Sequence, residues 1–140
     1  MARQTAKPPR SIVCLCILAV IIPLGLAARY APLHLPRFWS KYLGSALWAM
    51  AVYWLCAALL PKLKPTALTV IASAVTMTVE LSRLFPEPHI DAFRLTLAGR
   101  LLLGRYFAWA NILAYLIGIA IAAVADSQFN RVNNRIGHRR

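Results

Sequence analysis

Four long apolar runs set the pattern of this chain. They occupy residues 11–28 (SIVCLCILAVIIPLGLAA), 42–60 (YLGSALWAMAVYWLCAALL), 66–85 (TALTVIASAVTMTVELSRLF) and 106–125 (YFAWANILAYLIGIAIAAVA). About 20 apolar residues in a helix cross the hydrocarbon core of a bilayer. Each run therefore predicts one membrane-spanning helix. The second connection, PKLKP at 61–65, is short enough to force the second and third spans to be antiparallel neighbours. Its two prolines set hard helix ends.

The third connection has a different pattern. Pro86, Glu87 and Pro88 break the third helix, and HIDAFRLTLAGRLLLGR follows at 89–105. There Ile90, Phe93, Leu97, Leu101 and Gly104 recur at three and four, with Asp91, Arg94, Thr96 and Arg100 off that row. This predicts one short amphipathic or re-entrant helix between the third and fourth spans. The architecture expected is all-α: a single four-span domain over 11–125, a basic tail at 1–10 and a basic tail at 126–140. The last is read as disordered or as a contact with anionic lipid.

Polar positions inside the spans are also periodic. Thr69, Ser73, Thr76, Glu80 and Arg83 fall on one helical face of the third span. Gly104, Ala108, Asn111, Tyr115, Gly118 and Ala122 make a matching row on the fourth. The two rows are expected to face each other, because small residues allow close approach and polar ones bond across. The second span offers a lesser row at Ser45, Ala49, Val52 and Cys56, beside Trp48.

Composition supports the membrane reading. The chain is 60% hydrophobic and 14% charged, against about 25% charged in soluble domains. The first run has the basic flank of a signal peptide, but it is long for one, and it is read as a retained span. A net charge of +12 would suit nucleic acid, yet the basic residues are spread over every connection and both tails. Flanks of membrane spans explain them, and no nucleic-acid partner is expected. Arg3, Lys7, Arg10, Lys62, Lys64, Arg131, Arg135, Arg139 and Arg140 would lie on the side of the termini. Arg29, Arg37, Lys41, Arg94, Arg100 and Arg105 would lie opposite. That bias places both termini in the cytoplasm. Tyr30, Phe38, Trp39 and Tyr42 fit an interfacial aromatic belt, and His34 is a solvated loop residue. Cys14, Cys16 and Cys56 lie within spans and read as small apolar filler, with no metal and no disulfide framework implied.

The candidate chemistry is concentrated at VELSRLFPEPHIDAFR, residues 79–94, which holds Glu80, Glu87 and Asp91 of the four acidic residues. Glu80 and Arg83, and then Asp91 and Arg94, are spaced one turn apart on either side of the proline break. An ionisable group inside the membrane is a functional-site candidate, and a structural ion pair is the plainer alternative. Arginine forks with an amide and a phenol suit an anionic head group, above all phosphate. The candidate binding set is Glu80, Arg83, Asp91, Arg94, Asn111 and Tyr115. There is no HExxH, GxSxG or phosphate loop, so no catalytic residue, metal or cofactor is assigned.

The segments RYAP, KYLGSALWA, VELSRLF and DAFRLTLAGRLLLGRYFAWANILAYLIGI resemble domain of unknown function family 2809, over about residues 29–120. The order of Glu, Arg and then Asp before a glycine is distantly similar to the VanZ-like membrane proteins. The resemblance implies four to five helices and a bacterial inner membrane, and it supplies no reaction. Glu80, Asp91, Arg94, Gly104 and Trp109 match the family pattern. Ser45, Arg83 and Asn111 stand where that pattern has an acid, Gln and Asp, which makes this site less negative. Three functions are carried forward: binding of a lipid or anionic head group in the cell envelope, a non-catalytic subunit of a larger membrane complex, and a small oligomeric transporter. The expected partners are membrane lipids, other membrane proteins or further copies of the chain.

Overall fold

The computed structural model describes residues 8–30, 36–104 and 106–137. Residues 1–7 of the expected basic tail at 1–10, His34 and Arg105 lie outside the described residues, as do the last three residues, while Arg10 opens the first helix. Among the described residues six α-helices follow in order: α1 Arg10–Tyr30, α2 Arg37–Leu59, α3 Pro65–Leu81, α4 Pro88–Leu95, α5 Leu97–Leu102 and α6 Trp109–Gly137. A 3-10 turn, Ser82–Leu84, extends α3. No strand occurs among the described residues. Four of the helices, α1, α2, α3 (with its 3-10 extension) and α6, are long and apolar enough to cross a membrane. The 21 residues of α1 give a rise of about 30 Å, which matches the thickness of a hydrocarbon core.

The connections follow local chemistry. Pro65 opens α3 at a position where no amide hydrogen is needed. Pro23 lies inside α1, where it removes one backbone hydrogen bond. At the α1–α2 connection the Ser40 hydroxyl donates to Ala28 O at 2.6 Å, tying the start of α2 to the end of α1.

Between the third and fourth spans the structure has two short helices rather than one. Thr96 ends α4 and begins α5 in extended conformation, with φ −71° and ψ 160°. Its hydroxyl donates to Phe93 O at 2.7 Å and accepts from Gly99 N at 3.0 Å. A threonine able to cap a new helix thus competes with continuing the old one. The chain then folds back so tightly that a Cβ on Gly99 would lie 1.9 Å from Phe93 O. The hydrophobic period alone carries no trace of this break.

The fourth span also runs further than its apolar run. Helix α6 continues through Gly137, so residues 126–137 are helical rather than a disordered tail. No proline or glycine interrupts 126–136, and the helix is anchored at Asp126 by Arg10 and Tyr53.

Helix α2 lies at the centre, packed against α1, α3 and α6. The core joins Ala49, Tyr53 and Ala57 of α2 to Cys14, Leu18 and Ile21 of α1, Leu68 and Ala72 of α3, and Tyr115, Ile119 and Ala122 of α6. The two polar rows meet only in part. Asn111 and Tyr115 face α3, but Gly118 is pressed against α2, where a Cβ would stand 2.3 Å from Ala46 O. The Thr69 and Thr76 hydroxyls bond back to carbonyls of their own helix, Pro65 O and Ser73 O. That satisfies them without a partner helix.

Candidate functional site

Glu80 is the centre of the polar site. It sits at the end of α3 and is completely buried. One carboxylate oxygen accepts from Ala108 N at 2.9 Å and Asn111 Nδ2 at 3.1 Å. The other accepts from Tyr115 OH at 2.8 Å and from Arg83 Nη1. Ala108 immediately precedes α6, so the carboxylate also faces the positive end of that helix. A buried charge is tolerated only when paired and hydrogen-bonded, and Glu80 has both kinds of partner.

Arg83 extends the network to the backbone. Its Nε donates to Leu103 O at 2.5 Å, its Nη1 to Tyr106 O at 3.3 Å and its Nη2 to Tyr115 OH at 3.3 Å. Its guanidinium lies over Gly104, which has φ +68°. A Cβ there would come within 2.6 Å of the arginine. Glycine is required both for the left-handed turn and for the space. The pair therefore binds the α5–α6 connection onto the end of α3.

Asp91 and Arg94 form a separate pair. Arg94 Nη1 donates to Asp91 Oδ1 at 2.7 Å, and Nη2 donates to Ser82 O at 2.9 Å and to Ser82 Oγ at 3.1 Å. Arg94 is buried and its Nε has no hydrogen-bond partner. This pair docks α4 onto the 3-10 turn. Glu87 acts structurally, capping α4 by accepting from Ile90 N at 2.9 Å.

A cavity of about 260 Å³ opens beside the Glu80 network. Arg83, Asn111 and Tyr115 of the expected set line it, while Glu80, Asp91 and Arg94 do not. The rest of the lining includes Arg29, Lys41, Arg100, Ser45, Trp48 and Tyr106. The sequence assigns Arg29, Lys41 and Arg100 only to one side of the membrane. They come from α1, α2 and α5, and no spacing rule links them. None of the described lining residues is acidic. Trp48 stacks at a tilt on Tyr115, with ring centroids 5.3 Å apart. Because Ser45 Oγ lies 3.4 Å from Asn111 Oδ1, it ties α2 weakly to the same network.

A second buried pair lies at the opposite end of the bundle. Asp126 of α6 is 1% exposed and accepts from Arg10 Nη2 at 2.5 Å and Tyr53 OH at 2.9 Å. Arg10 Nη1 also donates to Pro61 O and Leu63 O, both at 2.8 Å. Arg10 thereby clamps the α2–α3 connection to α1 and α6. The apolar pattern had put Asp126 in the tail. A signal was present: four residues beyond Ala122, Asp126 continues the fourth-span row, and Asn130 follows four later.

Among the described residues no group of three or more His, Cys, Asp or Glu could hold a metal. Cys14, Cys16 and Cys56 are free.

A family model described as "Protein of unknown function (DUF2809)" matches residues 34–119, which is more than half of the chain. The match includes the whole Glu80 network and leaves out α1, with Arg10 and Arg29, and Asp126. No solved structure matches.

Proposed function

We propose that this chain, which belongs to the DUF2809 family of proteins of unknown function, binds the anionic head group of a membrane lipid in the cavity beside Glu80. One observation carries the reading. Arg29, Lys41, Arg83 and Arg100 converge on one cavity with Ser45, Asn111 and Tyr115, and no carboxylate lines it among the described residues. Glu80 holds Arg83 in place from behind and keeps the floor rigid. Arg29, Lys41 and Arg100 supply the charge that meets a phosphate. The Asp91–Arg94 pair supports the site by fixing the 3-10 turn that carries Arg83.

The basic bias of the tails supports termini in the cytoplasm, with the cavity opening on the far side of a bacterial inner membrane. A role in the cell envelope follows from that placement. The alternative is a non-catalytic subunit of a larger membrane complex, for which the lipid-facing helix surfaces would provide the contacts.

Native mass spectrometry after mild detergent extraction separates the two. The expected result is a retained anionic phospholipid, with occupancy falling about tenfold, or ~1.4 kcal/mol, in the Lys41→Gln/Arg100→Gln variant. A stoichiometric protein partner and no retained lipid would replace this reading with the subunit one.

A further inference from the structure

We infer that the ligand is held by two parts of the protein, with one hydrocarbon chain of the anionic phospholipid lying in an apolar groove that leads out of the basic cavity. The inference rests on the head-group reading above. The groove has a volume of about 440 Å³ and runs between α1 and α2, closed at one end by α5. Its walls include Ile22 and Leu26 on α1, Leu47 and Leu55 on α2, and Ala98 on α5.

Three observations favour a lipid chain as the occupant. First, the groove adjoins the cavity: Arg29, Gly44, Trp48, Leu101 and Leu102 line both. Polar chemistry thus ends where an uninterrupted apolar wall begins, which is the shape of an amphiphile. Second, the groove spans Leu18 to Arg29 on α1 and Gly44 to Leu55 on α2. Either stretch rises about 16 Å, roughly half of a ~30 Å hydrocarbon core. A chain that starts at the cavity would therefore stay in one leaflet. Third, small residues, Gly25, Gly44, Ala51 and Ala98, stand among the larger apolar side chains of the lining and leave a trough between them. A Cβ on Gly25 would make ordinary van der Waals contact with Leu47 Cβ at 3.6 Å, and one on Gly44 with Arg29 Cβ at 4.0 Å, so neither position is closed by backbone. A concave strip beside three cations gives one lipid a fixed register, with van der Waals packing of the chain and charge recognition of the head acting together.

The test compares retention of dioleoyl phosphatidic acid by the intact protein, measured by native mass spectrometry, for two kinds of variant. Lys41→Gln/Arg100→Gln weakens the cavity. Gly25→Leu and Ala51→Leu, made separately, fill the groove. Leucine at position 25 also improves helix propensity, so this variant is expected to fold, which its circular dichroism and melting curve will verify. The expected result is that both kinds of variant lose phosphatidic acid about tenfold. Loss in the cavity variant with full retention in both groove variants would overturn the chain-binding inference and leave the head-group reading standing. Full retention in the cavity variant would overturn both.

Discussion

Glu80 shows how one buried side chain organises its surroundings. Its two oxygens accept four hydrogen bonds, from α6, from the residue preceding α6 and from Arg83. Replacing it by glutamine keeps the shape but presents an NH2 group where an oxygen now accepts. Either Arg83 and Tyr115 or Ala108 N and Asn111 Nδ2 would then face a donor, and in both cases Arg83 would be a buried cation without its counter-charge. Breaking a buried pair by removing one partner costs about 3–5 kcal/mol. Glu80→Gln should therefore lower the melting temperature sharply, as read by thermal unfolding in detergent. Tyr115→Phe removes only one donor to the carboxylate, so its loss should be smaller, about 1.5–3 kcal/mol. If the glutamine variant melts like the wild type, Glu80 does not hold the site together.

At the scale of elements, the α4–α5 unit depends on a backbone approach that tolerates no side chain. A Cβ on Gly99 would overlap Phe93 O and Arg94 Cα, at 1.9 and 2.8 Å. Neither atom belongs to a flexible side chain, so the backbone itself must move. Gly99→Ala should open the α4–α5 corner at a cost of about 1–3 kcal/mol. Hydrogen exchange would report it as faster exchange confined to residues 88–104, with α1 and α2 unchanged. Exchange that rises evenly over the whole chain would refute this local account. Because Leu101 and Leu102 of α5 line both the cavity and the groove, the same substitution should also weaken lipid retention.

At the scale of the whole molecule, every acidic residue fastens or caps a helix. Glu80 and Arg83 fasten α3 to the α5–α6 connection, and Asp91 and Arg94 fasten α4 to the 3-10 turn. Glu87 caps α4, and Asp126 and Arg10 fasten α6 to α1. The two buried pairs at Glu80 and Asp126 sit at opposite ends of the bundle and share no partner. Their losses should be independent, since distant sites add to within about 0.5 kcal/mol. Melting of Glu80→Gln, Asp126→Asn and the double variant would measure this. A marked departure from additivity would mean that the ends are coupled through α6.

The sequence by itself determined that this chain is all-helical, with four runs fit to cross a membrane, because burial in lipid demands long uninterrupted apolar helices. It also set Glu80 and Arg83, and Asp91 and Arg94, one turn apart, where the pairs seen in the structure can form. The facing of Asn111 and Tyr115 toward α3 was legible in the same way, from helical periodicity. Only the tertiary structure decided the rest. Arg29, Lys41 and Arg100 stand on three different helices and converge through packing, which no local period records. The break at Thr96 came from a cap and a backbone contact, both invisible to a hydrophobic pattern. Asp126 opens a polar stretch in the sequence, and its burial depends on Arg10, more than a hundred residues earlier in the chain. Periodicity reports which side of a helix is polar. What that side meets is settled by chain segments distant in sequence, and the cavity and groove exist only where those segments come together.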